Sequence, residues 1–338
     1  LNNKSLAIIG DEDMNTIISA PTLTIYSDEE KDVTYSNLKI YSNGIQGRMM
    51  YLGCSECRDD EKINVIFNNI EFDGYDERSA IALKYNYNVI INNSVFINLE
   101  AGGDDGGAIH LSNSGQEYNH YRVLEINNTI FNNCKGNRGA GIYSESDYSI
   151  ISINKSLFVD NYADLQPGGA LSFWNQTQAT INSSTFYNNY SNAGSGTIYS
   201  EANSTITNSI IYSDSVIFIT GPIITGPISI TYSNISYGYE GIGNLDNNPQ
   251  FTDPENGDFT LQSTSPCIDA GDPLSELDPD GTRADMGAYS YEQYQNSINL
   301  HEGANLISFY AIPKDNSVAN VLSSLGDNAE GIIGEGVA

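Results

Sequence analysis

Ile91-Asn-Asn-Ser-Val-Phe96, Ile126-Asn-Asn-Thr-Ile-Phe131, Ile153-Asn-Lys-Ser-Leu-Phe158 and Ile181-Asn-Ser-Ser-Thr-Phe186 are four copies of one phrase. Two further copies, at 206–211 and 230–235, place Ile in the Phe slot, and 33–38 and 67–72 fit the frame more loosely. Successive Phe or Ile slots lie 35, 27, 28, 25 and 24 residues apart. A period in this range marks stacked units, each too small to bury its own apolar face. Apolar residues two apart, as in Val89 and Ile91, followed by Asn and Ser, indicate short strands ending in bends rather than helices.

A second apolar element follows each phrase after a glycine-bearing loop: Gly106-Gly-Ala-Ile109-His-Leu111, Gly139-Ala-Gly-Ile142-Tyr143, Gly168-Gly-Ala-Leu171-Ser-Phe173 and Gly194-Ser-Gly-Thr-Ile198-Tyr199. Each repeat therefore offers about three short strands, and nothing in it has the helical periodicity needed to cross back over a sheet. The expected fold is all-β, a right-handed single-stranded parallel β-helix. Roughly ten coils at a spacing of about 4.8 Å would extend on the order of 50 Å. Alternation points Val89, Ile91, Phe96, Ile109 and Leu111 inward and predicts a ring-on-ring column of Phe96, Phe131, Phe158 and Phe186. Asn93, Asn128, Lys155 and Ser183 fall at one bend, and Asn98, Asn133, Asp160 and Asn188 follow the Phe, where stacked amides can hydrogen-bond from coil to coil. The Asn-x-Ser/Thr triplets at Asn92, Asn127, Asn154, Asn175, Asn182, Asn189, Asn203 and Asn234 lie largely inside the phrase, so structural use is expected rather than glycan attachment.

The chain divides into a predicted β-helix at 1–242, a turn-rich capping module at 243–296, and the start of a further small module at 297–338. The second region carries Asn248-Pro-Gln-Phe-Thr-Asp-Pro254, Gly257-Asp-Phe-Thr-Leu261, Ser265-Pro-Cys-Ile-Asp-Ala-Gly271 and Leu277-Asp-Pro-Asp-Gly-Thr-Arg283-Ala-Asp-Met-Gly-Ala-Tyr289. These phrases, in this order, resemble the choice-of-anchor Q end module of secreted bacterial β-helix proteins. The solenoid resembles the pectin-lyase-like superfamily. The resemblance implies a bacterial protein that is secreted or displayed on the cell surface, and implies no particular reaction. The end module is expected to close the last coil, since an open solenoid end exposes unpaired strand edges. The first strand-like phrase begins at Ser5 with no signal sequence before it, and the chain stops within the third region. Trimmed boundaries are the expectation.

Charge narrows the partners. With 43 acidic and 14 basic residues the net charge is −29, which disfavours nucleic acid and anionic membranes and suits cations. Only 17% of residues are charged and 23 are Tyr, so the surface must be rich in Asn, Ser, Thr and Tyr, suited to hydroxyl-rich ligands or self-association. No run approaches the roughly 20 apolar residues of a membrane span. Cys54 and Cys57 form a C-x-x-C without the second pair a zinc site needs or the βαβ context of a redox motif. A loop-stapling disulfide is expected, with free or differently paired thiols as the alternative.

Candidate chemistry sits in the loops and on outward positions. Asp104, Asp105 and Asp164 occupy equivalent loops, with Arg138 in the coil between, a set that a calcium-dependent polysaccharide lyase could use. Asp278 and Asp280 suggest a calcium loop but lack the terminal Glu of the 12-residue pattern; turn-capping carboxylates beside Arg283 are the plainer assignment. Outward His110, Tyr143 and Tyr199 form a row that could stack against sugar rings. The expected function is a non-enzymatic structural or adhesive protein of the cell surface or matrix. The alternative is a carbohydrate-active protein, a lyase, hydrolase or glycan-binding module.

Overall fold

The computed structural model describes residues 6–19, 23–26, 31–41, 47–54, 63–74, 78–85, 87–101, 106–112, 122–146, 148–193, 196–213 and 224–293. Contacts divide the chain into Leu1–Gln293 and Tyr294–Ala338; the second unit, and with it the module expected at 297–338, lies outside the described residues. The predicted Cys54–Cys57 pairing also falls on side chains outside them.

The first unit is a parallel β-solenoid. Each regular coil begins on a first leg, represented by Tyr87–Asn92, Arg122–Asn127, Ser149–Asn154, Gln178–Asn182, Ser204–Thr207 and Ile228–Thr231. It turns onto a second leg, represented by Val95–Ile97, Ile130–Asn132, Leu157–Val159, Thr185–Tyr187, Ile210–Tyr212 and Asn234–Ile235. It then returns on a facing sheet, which stacks eight strands from Leu23–Tyr26 to Ile224–Thr225. Lys135–Gly136, Tyr162–Ala163 and Tyr190–Ser191 add a short third side to three coils. There are about six full turns, fewer than the roughly ten expected. Lys31–Tyr41 and Ile63–Asp73 run through the corner as single long strands.

The first corner explains why the phrase is written as it is. Asn37, Asn69, Asn93, Asn128, Lys155, Ser183, Asn208 and Tyr232 all adopt left-handed backbone, with φ between 45° and 55°, a region Asn tolerates better than most residues. The next residue points inward. Ser94, Thr129, Ser156, Ser184, Ser209 and Ser233 are buried and form a ladder. The Ser94 amide donates to Thr129 Oγ1 at 3.4 Å, Thr129 to Ser156 Oγ at 3.2 Å, Ser156 to Ser184 Oγ at 3.2 Å, Ser184 to Ser209 Oγ at 3.2 Å and Ser209 to Ser233 Oγ at 3.1 Å. Each of these hydroxyls donates back to the carbonyl two residues earlier, as Ser156 does to Asn154 at 2.8 Å. The buried polar groups of the turn are thereby paired.

Asn98, Asn133, Asp160 and Asn188 make the second left-handed corner. Outside the solenoid, Asn92, Asn127 and Asn154 donate side chain to side chain down successive coils at 2.9–3.0 Å. Inside, Phe96, Phe131, Phe158 and Phe186 stack with centroids 4.6–4.7 Å apart, and the column continues to Phe72 at 4.9 Å. Offset ring contacts at this spacing stabilise beyond area burial. Val89, Ile91, Ile109 and Leu111 are all buried in the same core.

Residues 238–247 form an irregular final turn over the last coil. Tyr232 donates its amide to the Ile242 carbonyl, and Leu245 bridges Ser233 and Ile235 at 2.8 Å each. The remainder of the module then folds back along the outer side of the second leg. There Phe251, Phe259, Leu261 and Met286 pack with Leu157, Val159, Tyr187 and Ile210 in a second apolar cluster. Gly287, at φ 106°, brings the module's backbone against Ile210 and Thr185, and Asn208 at the solenoid corner accepts from the Asp272 amide at 2.6 Å.

Phe131→Ala is expected to cost about 3–5 kcal/mol by leaving a cavity in a column that cannot collapse, measured by denaturant unfolding. Asn128→Gly should be milder than Asn128→Val, because only the β-branched residue resists the left-handed corner.

Candidate functional site

The outward row of the facing sheet is the candidate site. Register places Ala82, His110, Tyr143, Ser172 and Tyr199 side by side in consecutive strands, as the alternation predicts. Exposure differs from expectation. Tyr143 is fully buried and His110 is 9% exposed; only Tyr199 remains half-buried. The glycine-bearing loops cover the row. A Cβ on Gly106 would lie 3.1 Å from Tyr143 Cβ and 3.2 Å from His110 Cβ, and one on Gly139 would lie 2.9 Å from Ser172. Both glycines have positive φ, so these loops can press onto the sheet only without a side chain.

Beneath the loops the polar groups engage one another. Arg48 Nη2 lies 2.7 Å from His110 Nδ1. Arginine has no acceptor, so Nδ1 accepts and the imidazole proton sits on Nε2. That nitrogen faces Glu145 Oε1 at 3.5 Å, the outer limit of hydrogen-bond reach. Tyr143 donates its hydroxyl to Glu145 Oε2 at 3.2 Å and accepts from Arg138 Nη1 at 2.5 Å. The Arg138 guanidinium also lies over the Tyr143 and Trp174 rings, 5.4 and 5.6 Å from their centroids. Trp174 contacts Tyr199 at 4.9 Å, and Tyr199 donates to Glu201 at 3.2 Å. The His110 contact holds the Glu145 carboxyl below its ordinary range against the opposing effect of burial, with Tyr143 and Arg138 assisting.

Arg48, Glu145, Trp174 and Glu201 were absent from the sequence-based candidates. Glu145, Trp174 and Glu201 each follow directly on a facing strand, after Ser144, Phe173 and Ser200, which are in register; aligning the repeats one residue further would have found them. Asp104 and Asp105 lie outside the described residues. Asp164 and Arg138 do not form the expected cluster: Arg138 turns to Tyr143 and Trp174, whereas Asp164 accepts from the Tyr162 hydroxyl at 2.6 Å and from Asn192 at 3.0 Å. The hydroxyl of Tyr162 is the main cause that lowers the Asp164 pKa. Among the sequons, Asn189 and Asn234 are buried, and Asn175 and Asn203 are exposed.

The calcium candidates occupy turns. Asp278 Oδ2 accepts from the Asp285 amide at 2.8 Å, Asp280 Oδ1 from the Thr282 amide and hydroxyl at 3.0 and 2.7 Å, and Asp280 Oδ2 from the Gln293 amide at 2.7 Å. Among the described residues no three His, Cys, Asp or Glu side chains converge as a metal site. Arg283 donates to the carbonyl of Gly271 at 2.6 Å rather than to these carboxylates. Asp285 is buried, with its oxygens accepting from the Asp269 and Tyr291 amides at 2.7 and 2.6 Å; burial pushes its carboxyl up to about 6. Cys134 and Cys267 are buried free thiols, and burial raises both, which leaves them poor nucleophiles.

No family of known proteins matches the chain, and none of the curated proteins resembles it.

Glu145→Gln should lower stability at neutral pH by about 1 kcal/mol or less, since the side chain is 36% exposed and water screens its contacts. Because a depressed carboxyl stabilises only above its unfolded value and loses that contribution as pH falls through the folded one, the difference from the wild type should shrink in acid, as followed by thermal melts. Asp285 has the opposite sign. Its contribution is fully present below the ordinary carboxyl range and is lost as pH rises through about 6, so amides of the 269–291 segment should show less hydrogen-exchange protection at pH 7 than at pH 5, after correction for intrinsic rates.

Proposed function

We propose that this protein is a non-enzymatic scaffold, a β-helical stalk or matrix subunit of the bacterial cell surface. The observation that carries this reading is the engagement of the outward facing-sheet row with itself. Of the side chains best placed to recognise or turn over a ligand, Arg48 pairs with His110, Arg138 and Glu145 both pair with Tyr143, and His110 faces Glu145 at 3.5 Å. Hydroxyl, amide and aromatic columns running through successive coils support a load-bearing role, since each coil is tied to the next by side chains as well as by backbone. The resemblance of the 243–292 phrases to choice-of-anchor end modules supports surface display. No helix among the described residues is long and apolar enough to cross a membrane, so attachment on this reading is peripheral or supplied by other segments.

A glycan-binding or carbohydrate-active role is the second reading, favoured by the half-buried Trp174 and Tyr199 pair with Glu145 and Glu201 on either side. Both are tested by incubating the full chain with a panel of neutral and acidic polysaccharides in the presence of calcium, while following the fluorescence of Trp174, the chain's single tryptophan. The scaffold assignment expects neither unsaturated nor reducing-end product and an unchanged spectrum. Product formation abolished by Arg138→Ala, or a saturable spectral change abolished by Tyr199→Ala, would sink it.

A further inference from the structure

We propose that two copies of this chain associate face to face through the outer surface of the first leg, centred on Ile66, Ile90, Val123 and Ile150. In Ile63–Asp73 and the six first-leg strands that follow it, the outward residues are Asn64, Ile66 and Asn68; Asn88, Ile90 and Asn92; Val123, Glu125 and Asn127; Ile150, Ser152 and Asn154; Gln178, Thr180 and Asn182; Thr205 and Thr207; and Ser229 and Thr231. Glu125 is the one charged side chain among them, and Asn127 donates to it at 2.8 Å. The chain as a whole carries 43 acidic and 14 basic residues. A nearly uncharged strip along one side of so acidic a chain is the side on which a second equally acidic copy meets least repulsion.

The strip is also shaped for a sheet. Ile66 pairs with Ile90 and Val123 with Ile150 in adjacent strands, and the second pair is offset by two residues along the strands, since Ile90 pairs with Glu125 and Val123 with Asn88; three of the four aliphatic side chains are half-buried and Ile150 is 46% exposed. The amide column of Asn92, Asn127 and Asn154 borders them. Seven stacked strands of four to six residues present about 30 Å by 17 Å, on the order of 500 Å² per copy. That is the size of a weak, concentration-dependent contact, below the roughly 800 Å² per partner of a stable complex. A two-fold axis lying in the interface sets the strip against its own copy, the self-complementary arrangement of an isologous dimer, with the sheets packed about 10 Å apart. This inference does not depend on the scaffold role, since an enzyme on the same fold would dimerise by the same face; the polysaccharide panel tests one and hydrodynamics the other.

The test is sedimentation velocity of the full chain over a concentration series, at low ionic strength and at about 1 M salt, where the Debye length falls to about 3 Å. A monomer–dimer equilibrium that strengthens with salt is expected, because screening removes the repulsion and leaves the apolar contact. Ile150→Glu, and separately Ile90→Glu, should each weaken association about tenfold or more while the circular dichroism stays unchanged. Leu274→Glu, at a position 93% exposed in the end module, should leave it unaltered. A chain that remains monomeric in high salt overturns the proposal, as does association that survives both Ile variants or falls equally with Leu274→Glu. Retention of a monomer on an insoluble neutral polysaccharide, lost in Ile150→Glu, would assign the face to a hydroxyl-rich polymer and overturn it as well.

Discussion

The buried hydroxyl at the first corner is the constraint on which the other features rest. A left-handed residue turns the chain sharply, and the turn leaves an amide and a carbonyl inside the solenoid, away from water. An inward Ser or Thr answers both: its oxygen accepts the amide of the preceding coil's corner, and its hydrogen returns to a carbonyl of its own coil. An unpaired buried group of this kind costs about 1–3 kcal/mol, so each coil is held in one register by the coil after it. A slip of one residue would place an aliphatic side chain at the corner and a hydroxyl in the core.

Register at that corner accounts for the rest of the cross-section. Two residues beyond the inward hydroxyl, the Phe is delivered to the same point in every coil, and the rings stack nearly parallel at close to the strand spacing. The steps between coils vary from 24 to 35 residues, yet the corners stay aligned because the extra length falls between a facing strand and the next first leg, as in the stretch from Leu111 to Arg122. Insertion there carries only a slowly growing entropic cost. The glycine-bearing loops before the facing strands keep nearly the same length from coil to coil, and it is these that cover the outward row. The end module depends on the corner too, since Asn208, a left-handed corner residue, both accepts from Asp272 and donates to Ser275.

Different parts of the structure were legible to different degrees. The Phe column and the inward aliphatics could be read directly, since period-two alternation and a repeated phrase fix their direction once the repeat is recognised. The corner Asn residues could be placed, but the Ser and Thr beside them read only as bend formers; their inward ladder becomes evident when successive coils are laid over one another. The site row was read with the correct direction and the wrong exposure. Alternation tells which face of a sheet a side chain takes, and it carries no information on whether a loop lies across that face. Arg138 and Asp164 stand in neighbouring coils by sequence, yet one reaches Tyr143 and Trp174 while the other turns to Tyr162 and Asn192. Gly136 and Ala163 are in register, so Asp164 stacks on Asn137 and Arg138 lies one residue further along its loop.

By itself, then, the sequence determined a parallel β-helix, the inward set and the positions of the bends, because these depend on local alternation and on a phrase repeated at nearly constant spacing. Tertiary structure alone decided that His110 and Tyr143 are enclosed beneath the loops, that the turn-rich module lies along the second leg as well as over the last coil, and that among the described residues seven stacked first-leg strands present a single outward charge, Glu125. Each of these depends on which side chains from different coils come to lie beside one another, and that is set by how the coils stack and where their loops fall.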